Sequence, residues 1–85
     1  MANYKILINA SAAKELEEIP KKDNARIIDR IKSLADNPRP TGAEKLTGIN
    51  RYRVRQGDYR ILYEIYDKEI VVMVVKIGHR REVYR

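Results

Sequence analysis

The spacing of apolar positions changes period along this chain, and each change marks a predicted element. Residues 4–8 alternate, with Tyr4, Ile6 and Ile8 on one side, as a short strand does. From Ser11 the spacing turns helical. Ser11 is placed to cap a first helix in which Ala12, Leu16 and Ile19 make one apolar side. Pro20 suits the entry to a second helix. That helix is predicted over residues 21–35, because Ile27, Ile28, Ile31, Leu34 and Ala35 recur at helical intervals. Asp23, Arg26, Asp29, Arg30 and Lys32 are then expected mostly on its wet side. Asn37-Pro38-Arg39-Pro40 ends the helix, since a residue before proline is pushed out of the helical region.

Residues 41–50, with Gly42 and Gly48, read as a loop anchored by Leu46. Period two then returns. Residues 51–56 put Arg51, Arg53 and Arg55 on one side and Tyr52 and Val54 on the other. Gln56-Gly57-Asp58 reads as a hairpin turn, in which Gly57 supplies the backbone freedom. Strands over residues 59–66 and 69–77 are predicted to meet at a tight turn, Asp67-Lys68. The second is apolar on both faces from 70 to 75, as a central strand would be. Gly78 is expected to interrupt it, and residues 82–84 to form a last short strand. The result is a single α+β domain spanning residues 1–85. An N-terminal strand, a helical hairpin and a largely antiparallel sheet packed against the helices make up its architecture.

Composition narrows the chemistry. The chain has no cysteine, so disulfides, thiolate catalysis and the usual zinc clusters are excluded. The start M-A-N-Y-K lacks a basic region followed by an apolar run, and is not read as a secretion signal. The apolar run at 70–75 is too short to cross a bilayer. A cytoplasmic protein with no membrane partner is expected. The net charge is +6, and it is uneven: residues 51–85 hold nine basic and five acidic side chains, against nine and seven in residues 1–50. Such a field favours a polyanion, either nucleic acid or an acidic protein.

Arg53, Arg55 and Arg60 flank the Gly57 hairpin, and Arg80 and Arg81 follow Gly78. If register brings them to one rim, their forked guanidiniums suit successive phosphates, or one phosphate in a transition state. Tyr52, Tyr59 and Tyr84 are candidates for stacking on bases, with core packing the competing role for the first two. Proton-transfer options are few. No serine or cysteine stands beside a histidine, and no acidic cluster suits magnesium. Arginine stays protonated. RNA cleavage by its own 2′-hydroxyl would leave His79 or Tyr84 to move protons, His79 being of the one class that titrates near neutrality. An exposed turn beside Gly78 is the competing place for His79.

The stretches Y-R-V-R-Q-G-D-Y-R-I-L-Y-E-I and G-H-R-R-E-V-Y resemble the RelE/ParE superfamily of toxin–antitoxin toxins. S-A-A-K-E-L and the N-P and K-L-T-G segments extend the match over nearly the whole chain. The resemblance implies a compact α+β fold held inactive by a cognate antitoxin. Closer likeness to the RelE branch implies an mRNA endonuclease acting in the ribosomal A site by 2′-hydroxyl attack, without metal or cofactor. It matches Arg60 and Arg80 to residues that stabilise the scissile phosphate, and Tyr84 to a functional tyrosine. Arg53 and Arg55 fall where described members carry lysines, one of them proposed as the base, and His79 also replaces a lysine of some members. Arginine keeps phosphate contacts but is a poorer proton acceptor.

With Arg53, Arg55 and Arg81 on phosphates, the catalytic set is then Arg60, Arg80, Tyr84 and His79. The expected partners are ribosome-bound mRNA and an antitoxin, with operator DNA reached through the antitoxin complex. Because the sequence ends just past the tyrosine motif, the antitoxin is expected to cover the basic face with an acidic segment that folds as it binds. Two other readings stay open: a ParE-like inhibitor of DNA gyrase, and a binding module whose cleavage is weakened by the arginines at 53 and 55.

Overall fold

The computed structural model describes residues 3–46 and 50–79. Among them the elements run β1 (Lys5–Ile8), α1 (Ala10–Glu17), α2 (Lys21–Ser33), β2 (Glu44–Lys45), β3 (Arg51–Gln56), β4 (Tyr59–Tyr66) and β5 (Val71–His79). They form the expected α+β arrangement. The sheet has the order β1-β5-β4-β3-β2, antiparallel except for the β1–β5 pair. Both helices lie on one face. There Ala12, Ile19, Ile27, Ile31 and Leu34 pack on Tyr52, Val54, Ile61, Tyr63, Ile65, Val72, Val74 and Ile77. The central position predicted for the most apolar strand is the one β5 occupies, between β1 and β4.

Several boundaries differ from the sequence reading for identifiable reasons. Helix α1 is capped by Asn9, not Ser11. The Asn9 side chain accepts the Ala12 N–H at 2.8 Å, while the Ser11 hydroxyl donates to the same oxygen. Asn9 also donates to the Val75 carbonyl, so the cap is tied to the sheet. Helix α2 stops at Ser33, with Leu34 as C-cap. The segment read as a loop before β3 contains the two-residue strand β2, paired with Tyr52 and Arg53. The turn after β4 is longer than the predicted two residues. Ile70 takes φ 57°, and its N–H donates to the Asp67 carbonyl at 3.2 Å. Nor does Gly78 interrupt β5, which runs on to His79. The last strand expected over residues 82–84 lies outside the described residues.

The phase of β5 is set by an irregularity. Tyr63 faces Val74, but Leu62 faces Lys76, so β5 carries one extra residue, Val75. A one-residue slip exchanges the faces of everything beyond it. Val72 and Val74 therefore enter the core before the bulge and Ile77 after it, while Lys76 and Gly78 take the phase of the face away from the helices. Past the end of β1, side chains of Asn9 and Glu15 bond the backbone of β5 in place of a strand: Asn9 meets Val75 O at 3.2 Å, and Glu15 accepts Ile77 N–H at 2.9 Å.

The Pro38-Arg39 segment is clasped to the opposite end of the sheet. Tyr63 hydroxyl donates to the Pro38 carbonyl at 2.7 Å. Arg39 forks onto Asp67, donates from Nε to the Tyr52 hydroxyl, and lies 5.4 Å from that ring's centre. Tyr52 in turn stacks on Tyr63. Both rings are core residues, which settles the competition for Tyr52 in favour of packing.

Candidate nucleic-acid interface

The sheet face away from the helices carries the basic residues, because every second position of β3 is arginine. Directly opposed residues of an antiparallel pair share a face. Arg55 stands opposite Arg60, and Arg60 opposite Gly78, which adds no side chain to this rung. The next rung is Glu44, Arg53, Leu62 and Lys76. Arg51 and Glu64 begin the third. The hairpin at Gly57, where φ is +60°, thus brings Arg60 beside Arg55.

These cations are not equivalent. Arg51 is bridged to Glu64, Arg53 to Glu44 and Lys76 to Glu15, each at 2.8 Å. Arg55 is exposed and forms no salt bridge among the described residues. Arg60 is 5 % exposed, although it lies on the face without helices. A guanidinium cannot shed its charge to escape such burial, so its desolvation is held in place by the fold. The Arg53 guanidinium, with Arg55 and Arg60 beyond it, holds the Glu44 carboxyl below its ordinary range. Arg53, Arg55 and Arg60 thus concentrate positive charge at this corner of the sheet.

His79 is placed elsewhere. It stands opposite Tyr59, one position out of phase with Arg60, and its ring meets that of Tyr59 edge-on at 5.8 Å. Tyr59 packs against the core, so His79 lies on the helix side of the sheet. A cleft of about 580 Å³ opens there, lined by Glu15, Glu18, Tyr59, Lys76 and His79 among others. The structure thus gathers Arg53, Arg55 and Arg60 on one face and separates His79 from them. Arg80, Arg81 and Tyr84 lie outside the described residues.

Two further participants were not foreseen. Lys76 takes its place in the second rung only because of the bulge, which no single residue announces, and its side chain turns back to Glu15 on α1. Arg30, expected on the wet side of α2, is half-buried and lines a cleft with Arg55. A helical period places it, but only the docking angle of the helix reveals its neighbour. Among the described residues no group of three His, Asp or Glu side chains is arranged to hold a metal ion, and no helix is long and apolar enough to cross a membrane.

Comparison with known proteins agrees with this architecture. The family described as "ParE toxin of type II toxin-antitoxin system, parDE" matches residues 6–84. Toxin RelE of Mycobacterium tuberculosis is 33% identical over 96% of this chain and 87% of its own length. The mRNA interferase toxin RelE of Escherichia coli is 27% identical over 95% of this chain and 90% of its own. Among solved structures, the archaeal RelE–RelB complex from Pyrococcus horikoshii superposes with a TM-score of 0.82 and 30% identity, covering 94% of this chain and 97% of that one. The chain therefore belongs to the RelE/ParE toxin superfamily, where its strongest likenesses fall on the RelE branch.

Proposed function

We propose that this chain is the toxin of a type II toxin–antitoxin system, a ribosome-dependent endoribonuclease that cuts mRNA in the A site. The observation that carries the reading is the Arg55–Arg60 rung on the sheet face away from the helices, on a chain whose relatives include a protein named an mRNA interferase. In this reading the RNA's own 2′-hydroxyl attacks the adjacent phosphorus and expels the 5′-oxygen. Arg60 holds the phosphorane oxygens as their charge builds, together with Arg80. Arg53, Arg55 and Arg81 hold flanking phosphates, Arg53 by exchanging Glu44 for the RNA. Tyr84 is the preferred group for proton transfer. His79, on the opposite face in the present register, is the second candidate. No metal or cofactor enters the scheme.

A cognate antitoxin is the proposed partner, as RelB is for the Pyrococcus horikoshii RelE in its solved complex. Its acidic segment would cover the arginine face, and operator DNA would be reached through the complex. The test is primer extension on a defined mRNA bound to programmed ribosomes. Cuts at the A site should fall by roughly 100-fold in R60A, the scale for losing one charge-stabilising donor. Wild-type cutting unchanged in R60A, or no cutting despite ribosome binding, would refute it. The ParE description of the matching family keeps gyrase inhibition as the second reading. Inhibition of DNA supercoiling by the wild type, without RNA cuts, would select it.

A further inference from the structure

We infer that the cleft between α2 and the β2 edge is a second phosphate-binding site, which takes the RNA backbone beyond the phosphate at Arg60. It rests on the reading that this chain works on RNA. The cleft encloses about 390 Å³ and is lined by Arg30, Gly42, Ala43, Glu44 and Arg55. Among the described residues β2 pairs only with Tyr52 and Arg53, so no strand pairs with the outer edge of β3 beyond Arg53. Arg55 stands at that corner. It belongs to the arginine rung on the face away from the helices and, at the same time, to the wall of the cleft.

The charges around the cleft do not cancel. Glu44 is its single carboxylate, and that group is engaged by Arg53 at 2.8 Å. Neither Arg30 nor Arg55 forms a salt bridge among the described residues. The Arg30 Nε is buried without a hydrogen-bond partner, a cost that a well-packed protein rarely leaves uncompensated. Two arginines lining one cleft, with no salt bridge to either among the described residues, suit an anionic oxygen that arrives from outside. The mouth is open: a Cβ built on Gly42 would meet nothing within 4 Å. A phosphodiester is favoured over an acidic protein segment by continuity. A strand held at Arg60 passes Arg55, the residue common to both surfaces, before it reaches Arg30.

Binding of a short fluorescein-labelled single-stranded RNA, followed by anisotropy from about 50 to about 200 mM salt, tests the site. Each phosphate contact contributes about 0.7 to the slope of log affinity against log salt for single strands. R30A should lower the slope by about 0.7 and the affinity near 50 mM salt by roughly eightfold, the value that this slope implies relative to 1 M. R26A removes the same charge from an exposed position of the same helix and should change both much less. R30K should fall between R30A and the wild type, since it keeps the charge and loses the fork. If R30A does not fold, the Arg30 Nε–H resonance of the wild type supplies the readout. It should shift when RNA or inorganic phosphate is added. R30A matching R26A, or an Arg30 resonance that RNA leaves in place, overturns the inference alone. A resonance that responds to polyglutamate at lower concentration than to RNA overturns it in favour of a protein contact. Wild-type protein that binds no RNA at any salt overturns the inference, while the reading beneath it stands or falls separately on cuts made on programmed ribosomes.

Discussion

Replacement of Glu15 should loosen the end of β5 and, with it, the arginine rung. Glu15 sits on α1, yet its carboxylate does the work of a neighbouring strand where β1 has ended: one oxygen accepts the Ile77 N–H at 2.9 Å, the other takes Lys76 Nζ at 2.8 Å. A hydrogen bond to a charged group contributes about 1.5–3 kcal/mol. The Glu15 side chain is 30% exposed, so the lower part of that range applies. The ion pair with Lys76, itself 44% exposed, adds no more than about 0.5 kcal/mol. E15A should therefore cost about 2 kcal/mol, which lowers Tm by roughly 8–16 °C in a domain of this size. E15Q keeps an acceptor for Ile77 and loses the ion pair, at about 0.5–1 kcal/mol. Thermal unfolding by circular dichroism measures both. Amide exchange localises the effect: opening of this end in E15A should speed exchange at Ile77 roughly thirtyfold, with distal core amides following only the global loss. An E15A protein with unchanged Tm and unchanged exchange at Ile77 would refute the claim that this carboxylate stands in for a strand.

Other expectations follow from single contacts. Y63F leaves the buried Pro38 carbonyl without its donor and should cost about 1–3 kcal/mol, measured by urea unfolding. Burial pushes the Tyr63 phenol up to about 12, so its contribution is complete below the ordinary value near 10 and is lost as pH rises through the folded value. Y63F should accordingly lack that part of the alkaline loss, and an unchanged alkaline profile would count against it. Asp67 is held low by Arg39 and Tyr4, and Glu64 by Tyr66 and Arg51. Their contributions are present above the ordinary carboxylate range and fade as pH falls through the lowered values; D67N should flatten the acid limb of Tm against pH. Ile70 holds a left-handed backbone with a β-branched side chain, so I70G should remove strain of about 1–2 kcal/mol. A gain in Tm checks this, reduced by the greater freedom of glycine in the unfolded chain.

The two predicted helices, the strand bounds of β3 and β4 and the turn at Gly57 were legible because local pattern suffices for them. Apolar spacing selects the period, and a glycine between two alternating runs selects the hairpin. The same hairpin brings Arg60 to Arg55, so the nucleus of the arginine face was already present in R-Y-R-V-R-Q-G-D-Y-R. The cap at Asn9 was harder to read. Ser11 offers a similar oxygen, and what favours Asn9 is its second bond, to Val75, 66 positions away in sequence. The turn through Ile70 was illegible for a related reason: local preference argues against positive φ at isoleucine, and the pairing of β5 with both neighbours overrides it.

Sequence by itself determined the two helices, the strands β3 and β4, the class of fold and the concentration of arginine on one side of a strand, all consequences of periodicities two and 3.6. Tertiary structure decided which residues meet. The six apolar residues of 70–75 are compatible with either face, and only the bulge opposite Leu62 and Tyr63 sends Ile77 inward and Lys76 and Gly78 outward. It separates His79 from Arg60 by the same step. Docking of α2 on the sheet likewise brings Arg30 to Arg55, 25 positions away in sequence and close only through packing. Register and docking are properties of paired elements, set by the burial of both partners together, and no single segment carries them.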